Sequence, residues 1–338
     1  MHTLTRIACL IALTWTSSLC LAQEGAYKFL NEIPIGGEGG WDYLSEDTEA
    51  RLLYVTHASH VVVIDMDQGK VVGEVADTPG VHGFAVAPDL GLGFASNGRD
   101  STASVVDLRT RKTLSKVPTG ENPDAILYVP LTQEVYTFNG RGHSATVFEP
   151  RSGRVVATIP LSGKPEFAVF DPSSDRIYNN IEDQNEVAVI DAHTHEIVAS
   201  WPIAPGEAAS GMALDIEHHR LFIVCENALM LMMDTTNGKV VTSVPIGESV
   251  DAARYDPATG LAFASNGEGN VTIVHEDSGE TLRVVQTLPT ARSGRTMTLD
   301  PKTHRIYVSV ADFQSAAVGE RPQMIPETFR VLVFEPSE

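Results

Sequence analysis

Ionisable side chains recur at the entrances of short apolar runs in this sequence. Asp42 stands in GGWDYL, His82 in GVHGFAVA, Asp124 in NPDAIL, Glu166 in KPEFAVF, Asp251 in SVDAARYD and Arg295 in SGRTMTLD, while ASGMALD has Ser210 at the corresponding place. His57 ends the run RLLYVTH, three residues before His60. Imidazole nitrogens and carboxylate oxygens make a mixed donor set suited to zinc, copper, nickel or iron, whereas calcium prefers oxygen throughout. An isolated H-x-x-H carries little weight, because ligand spacing matters only when the backbone gathers further donors. The chemistry therefore depends on elements that would bring residues roughly 40 positions apart around one centre.

Those elements are legible as a repeat. GWDYLSEDTEARLLYVTH, GVHGFAVAPDLGLGFASN, NPDAILYVPLTQEVYTFN, KPEFAVFDPSSDRIYNNI, ASGMALDIEHHRLFIVC, SVDAARYDPATGLAFASN and SGRTMTLDPKTHRIYVSV align as seven copies. Each contains a short apolar strand, a turn often marked D-P-x-x, and a second strand. A third strand such as VVVID or VAVID follows, then a fourth such as GKVVGEV or GKVVTSVP. Regular short strands and turns specify an all-β chain. Four strands per copy at this period specify a seven-bladed β-propeller with four-stranded blades. The chain ends on FRVLVFEPSE, a third strand with no fourth behind it, and AYKFLNEIPI supplies an unattached fourth strand near the start. The closing blade is therefore expected to be completed by this N-terminal strand, with residues 26–34 beside 329–335, which removes an open sheet edge.

YVT before His57, with GFASN, VYTFN and AFASN in other copies, resembles the YVTN repeat of the YncE-like β-propeller proteins over residues 23–338. The resemblance implies a propeller used for binding, and related seven-bladed propellers include metal-dependent lactonases. Fold alone assigns no activity.

In a propeller, the loops entering the innermost strand and leaving the second strand open on one face. The slot opening the inner strand holds Asp42, His82, Asp124, Glu166, Ser210, Asp251 and Arg295, so a charged ring is expected at the channel mouth. The slot closing the second strand holds His57, Asn97, Asn139, Ile181, Cys225, Asn266 and Val310. Asn there is a habitual turn residue and needs no function. His57 is expected beside His82, and His60 away from the axis. Carboxylates crowded at one mouth repel unless they are protonated, paired or bound to a cation. Arg295 is expected to neutralise Asp42 and Asp251, leaving His57, His82, Asp124 and Glu166 as candidate ligands for a divalent metal, a transition metal before calcium. Arg99, Arg141 and His143 lie on adjacent mouth loops, where guanidinium forks suit a carboxylate or phosphate. With Asp42, Asp124, Glu166, Asp251 and Arg295 they form a candidate ligand-binding set. The insertion at 312–328 falls on the same face, as a lid or a tolerated loop. The histidines of DAHTHE, IEHHR and PKTHR are expected on the opposite face as solvated turn residues.

Residues 1–22 read as a secretory signal peptide: Arg6 precedes an apolar stretch, with a cut expected after Ala22. Leu19 makes a poor lipobox for Cys20. Residues 23–338 are expected to form a single domain, periplasmic or secreted, monomeric and without membrane insertion. Only Cys225 would remain, so no internal disulfide supports the fold. Loss of Arg6 makes the chain one unit more acidic than its formal −20, which argues against nucleic acid as a partner. No G-x-S-x-G, C-x-x-C-H or phosphate-binding glycine loop is present, so no nucleotide, haem or flavin is expected. The leading reading is an exported propeller that binds a small anionic ligand, a metal ion or a protein partner at the mouth. A metal-dependent hydrolase or lactonase at the same mouth and a periplasmic interaction scaffold are the alternatives.

Overall fold

The computed structural model describes residues 26–315 and 322–337. Residues 1–22, expected to be a signal peptide, and the middle of the 312–328 insertion lie outside the described residues.

Alternating apolar residues bounded by aspartate, glycine and proline turns give seven four-stranded antiparallel sheets arranged in a ring. Blades 1 to 6 span residues 41–75, 81–118, 123–160, 165–202, 209–245 and 250–289. Blade 7 comprises Met297–Asp300, Arg305–Val310 and Arg330–Pro336, completed by Tyr27–Pro34 from the N-terminus. Tyr27 pairs with Pro336 and Pro34 with Arg330, as the expected clasp requires. Among the described residues the single short helix is a 3₁₀ turn at Glu182–Gln184.

Each sheet buries both faces against its neighbours, which explains the continuous apolar runs of the second and third strands. Tyr54, Val61 and Val63 of blade 1 pack on Val81, Phe84 and Val106 of blade 2. Leu53, Val55 and Ile64 of blade 1 pack on Tyr307, Phe329 and Val331 of blade 7. The outer strands are mostly exposed or half-buried, as in KVVGEV with its one buried residue, and leave apolar side chains such as Val71 and Val72 at the surface.

Many acids are turn fasteners. Asp47, Asp171, Asp215, Asp256 and Asp300 are buried at the first turn of their blades. Each accepts a backbone N–H two or three residues on, at 2.8–3.2 Å. This Asx geometry accounts for much of the acidic composition without any ligand. The opposite-face histidines depart from the solvated-turn expectation, since several bind acids across blade junctions. His304 Nδ1 lies 2.7 Å from Asp256 Oδ2, and His195 Nε2 lies 2.9 Å from Glu134 Oε2. Sequence adjacency hides these pairs because the partner belongs to the neighbouring blade.

Candidate functional site

The inner strands position the mouth residues through a shared irregularity. In blades 1 to 6 the register between inner and second strands shifts near the mouth, as between Trp41 and Leu44, Val81 and Phe84, and Pro123 and Ile126. Asp42, His82 and Asp124 sit inside these bulges, which re-aim their side chains. Hydroxyl and amide side chains of the second strands satisfy backbone groups that the bulge releases. Thr56 Oγ1 accepts from Asp42 N at 3.1 Å and donates to Tyr43 O, while Ser96 Oγ accepts from Gly83 N at 2.9 Å. Asn179 donates to Glu166 O at 2.9 Å, and Asn180 to Ser210 O at 2.8 Å.

A cavity of about 280 Å³ at the mouth is lined by Asp42, Tyr43, His82, Asp124, Lys164, Glu166, Glu182, Ser210, Glu226, Asp251 and Arg295. All seven inner-strand slots therefore contribute. His82 Nδ1 lies 2.7 Å from Asp42 Oδ2 and 3.7 Å from Asp124 Oδ1. Asp42, His82 and Asp124 each offer a donor atom within 4.8 Å of the others. Asp124 is nine-tenths buried, and its Oδ1 has no hydrogen-bond partner. Arg295 Nη1 lies 2.5 Å from Asp251 Oδ2, whereas Asp42 pairs with His82, so the expected sharing of Arg295 resolves toward Asp251. Lys164 Nζ, two residues before its slot, sits 2.5 Å from Glu166 Oε1 and also contacts Glu182.

Burial raises the carboxyl pKa values of Asp124, Glu166 and Asp251. Neighbouring carboxylates add to the rise, and Lys164 or Arg295 partly offsets it. Burial alone would lower His82, but the Asp42 hydrogen bond and the Asp124 and Glu166 charges overcome it and hold the imidazole near 9. Tyr43 lies beneath these acids and is pushed well above its ordinary value, first by burial and then by their charges. With six carboxyl groups against Lys164, Arg295 and His82, the cavity favours positive charge in its ligand.

His57 does not join this cluster. Its ring packs 4.4 Å from Phe329 and 5.1 Å from His60, and both ring nitrogens are buried without hydrogen-bond partners. The preceding loop confines it: a Cβ on Gly37, whose φ is +84°, would lie 3.0 Å from the imidazole Cε1. Glu166, held by Lys164, also stands outside the three-donor set. Of the four residues expected as ligands, the structure brings His82 and Asp124 together, with Asp42 beside them. Arg99 is exposed but lines a second cleft of about 300 Å³ with Trp41, Asp42, His82 and Arg295. Arg141 and His143 stay exposed outside both cavities. Phe313, at the start of the insertion, lies 6.1 Å from Trp41 across ring centres, beside this cleft.

Asn97, Asn139 and Asn266 are buried and donate to hydroxyls of their third strands, consistent with turn duty. Cys225 is fully buried, and burial pushes its thiol up to about 12. Glu182 and Glu226 are mouth residues that the slot pattern does not reveal. A signal exists elsewhere in the repeat: the position after each second strand holds Ala58, Gly98, Gly140, Glu182, Glu226, Gly267 and Ala311, and only these two are not small.

Burial, then the proximity of His60, lowers the His57 pKa to about 4. The folded state therefore binds fewer protons than the unfolded chain between about pH 6.5 and 4. Stability from neutral His57 is present above the unfolded pKa and is lost as pH falls through the folded one. His57→Phe should remove an acid-side loss of up to about 3 kcal/mol. Denaturant unfolding of wild type and variant at pH 7.5 and pH 4 checks this, and parallel pH profiles would refute it.

No family model matches the chain, and no curated protein matches it by sequence. Its fold is similar to a chain of the structure titled Kuenenia stuttgartiensis Hydrazine Synthase, with a TM-score of 0.70 and 16% identity, covering 93% of this chain and 99% of that one. It is also similar to a chain of the Crystal Structure of Mitotic Checkpoint Complex, with a TM-score of 0.75 and 13% identity, covering 99% and 100%. At such identities the likeness shows the fold alone, and the chain is a seven-bladed β-propeller.

Proposed function

We propose that this chain is an exported, YncE-like β-propeller that takes a divalent transition-metal ion at its channel mouth on Asp42, His82 and Asp124. The observation that carries the reading is Asp124 Oδ1, buried without a hydrogen bond and 3.7 Å from the His82 ring nitrogen. A desolvated carboxylate oxygen without a partner costs free energy that a bound cation removes. The mixed nitrogen and oxygen donors favour zinc-class ions over calcium. The acid excess opposes a small anion in the cavity itself, which ranks a cation above the anionic ligand suggested by Arg99, Arg141 and His143. Among the described residues no helix is long and apolar enough to cross a membrane.

The test is a melting experiment on chelator-stripped protein with zinc, copper, nickel, manganese and calcium added in turn. A zinc-class ion at about 100 times its Kd stabilises by about 2.7 kcal/mol, a rise on the order of 5 °C. His82→Ala and Asp124→Asn should lose most of that rise, and His57→Ala should keep it. Equal responses in wild type, His82→Ala and Asp124→Asn would end this reading.

A further inference from the structure

A second donor cluster lies on the opposite face, at the junction of blades 5 and 6, remote in the fold from the mouth slots. Asp215 ends the inner strand of blade 5, His218 stands in the turn after it, and Glu276 ends the third strand of blade 6. One donor atom from each lies within 4.8 Å of the others. His218 Nδ1 is 2.5 Å from Asp215 Oδ2 and 3.6 Å from Glu276 Oε1. Glu276 is 94% buried, since its relative exposure is 6%, and its Oε1 has no hydrogen-bond partner. Tyr255 donates to Glu276 Oε2 at 2.8 Å.

The repeat supplies the comparison. At the position of His218, the other blades hold Ala50, Leu90, Thr132, Ser174, Thr259 and Thr303. Ser174, Thr259 and Thr303 donate hydroxyls to the buried aspartate three residues earlier, at 2.6–2.8 Å. At the position of Glu276, the others hold Met66, Leu108, Pro150, Ala192, Thr235 and Pro336, none of them ionisable. Two departures from the repeat thus meet at one junction.

The charge logic is inverted there as well. Where Asp256 of blade 6 meets blade 7, His304 faces it, and where Asp300 of blade 7 meets blade 1, Arg51 faces it. Asp215 meets Glu276, an acid, and His218 is their nearest cationic group. Two buried carboxyls in contact favour either a shared proton or a cation. A shared proton would occupy the two oxygens, but it would not require the imidazole that replaces the repeat's hydroxyl. His218, half exposed, leaves the pair open to solvent from one side.

We infer that Asp215, His218 and Glu276 form a second divalent-metal site, of zinc class, that ties blade 5 to blade 6. The ion would bind one oxygen from each carboxylate and the imidazole nitrogen, with solvent completing the set.

The experiment is calorimetric titration of zinc into the chelator-stripped full chain. Wild type should bind two equivalents. Glu276→Gln and His218→Thr should each bind one, the second variant restoring the hydroxyl fastener found in three other blades and so preserving the turn. His82→Ala should also bind one, and His82→Ala combined with Glu276→Gln none. If wild type binds one equivalent that Glu276→Gln loses and His82→Ala keeps, the junction site stands and the mouth reading fails. If Glu276→Gln and His218→Thr retain the wild-type stoichiometry and affinity, the junction proposal is overturned. A single wild-type equivalent that His82→Ala abolishes would overturn it too.

Discussion

A chain that begins at Ile35, lacking the Tyr27–Pro34 strand, should lose its closed ring. That strand pairs along the whole of Arg330–Pro336, buries Tyr27 and Ile33, and sets Phe29 edge-on to Phe334 at 5.7 Å. Tyr27 also reaches blade 6, where its backbone exchanges hydrogen bonds with the Gln286 side chain at 2.7 and 2.8 Å. Burial of Tyr27 and Ile33 alone stabilises by about 3–6 kcal/mol. Removing the strand also exposes the Arg330–Pro336 edge, a template for aggregation. The melting temperature should fall on the order of 10 °C or more, with concentration-dependent association. A truncated protein that melts within a few degrees of the full chain, as a monomer, would show that the clasp does not hold the ring.

The second large effect belongs to Arg51, which joins blade 1 to blade 7. Its Nη1 and Nη2 each approach a carboxylate oxygen of Asp300 at 2.8 Å, and Asp300 is fully buried. Arg51→Met preserves the aliphatic stem and strands that carboxylate, which should cost about 3 kcal/mol at neutral pH. Burial would raise the Asp300 pKa, but the Arg51 and Thr303 hydrogen bonds prevail and hold it below the ordinary value. The contribution is therefore present above the unfolded pKa and lost as pH falls through the folded one. Urea unfolding should show a wild-type advantage at pH 7 that narrows at pH 3. A variant as stable as wild type at pH 7 would refute the account.

The contrast between the Asp42, His82, Asp124 cluster and His57 separates what residue order reveals from what it hides. A strand's register and two-residue alternation place a residue at a slot, and the ring turns sequence period into angle, so the convergence of Asp42, His82, Asp124, Glu166, Asp251 and Arg295 was legible. Side-chain direction obeys contacts that come from elsewhere in the chain. His57 occupies the expected strand end, yet its ring packs on Phe329 and the Gly37 loop, both remote from it in sequence or in strand, and contributes no donor to the mouth cluster. Lys164 is hidden because it precedes its slot by two residues and reaches back to Glu166 and Glu182.

By itself the sequence determined the seven blades, the terminal clasp and the acid-rich mouth, because hydrophobic periodicity, turn chemistry and charge are properties of residue order. Only the tertiary structure decided which acid meets which base. It paired Asp42 with His82 rather than with Arg295, joined Asp256 to His304, and set Asp215 against Glu276. Those pairings depend on distances of a few ångströms across the junctions of neighbouring blades, where desolvation makes each charge seek its nearest partner.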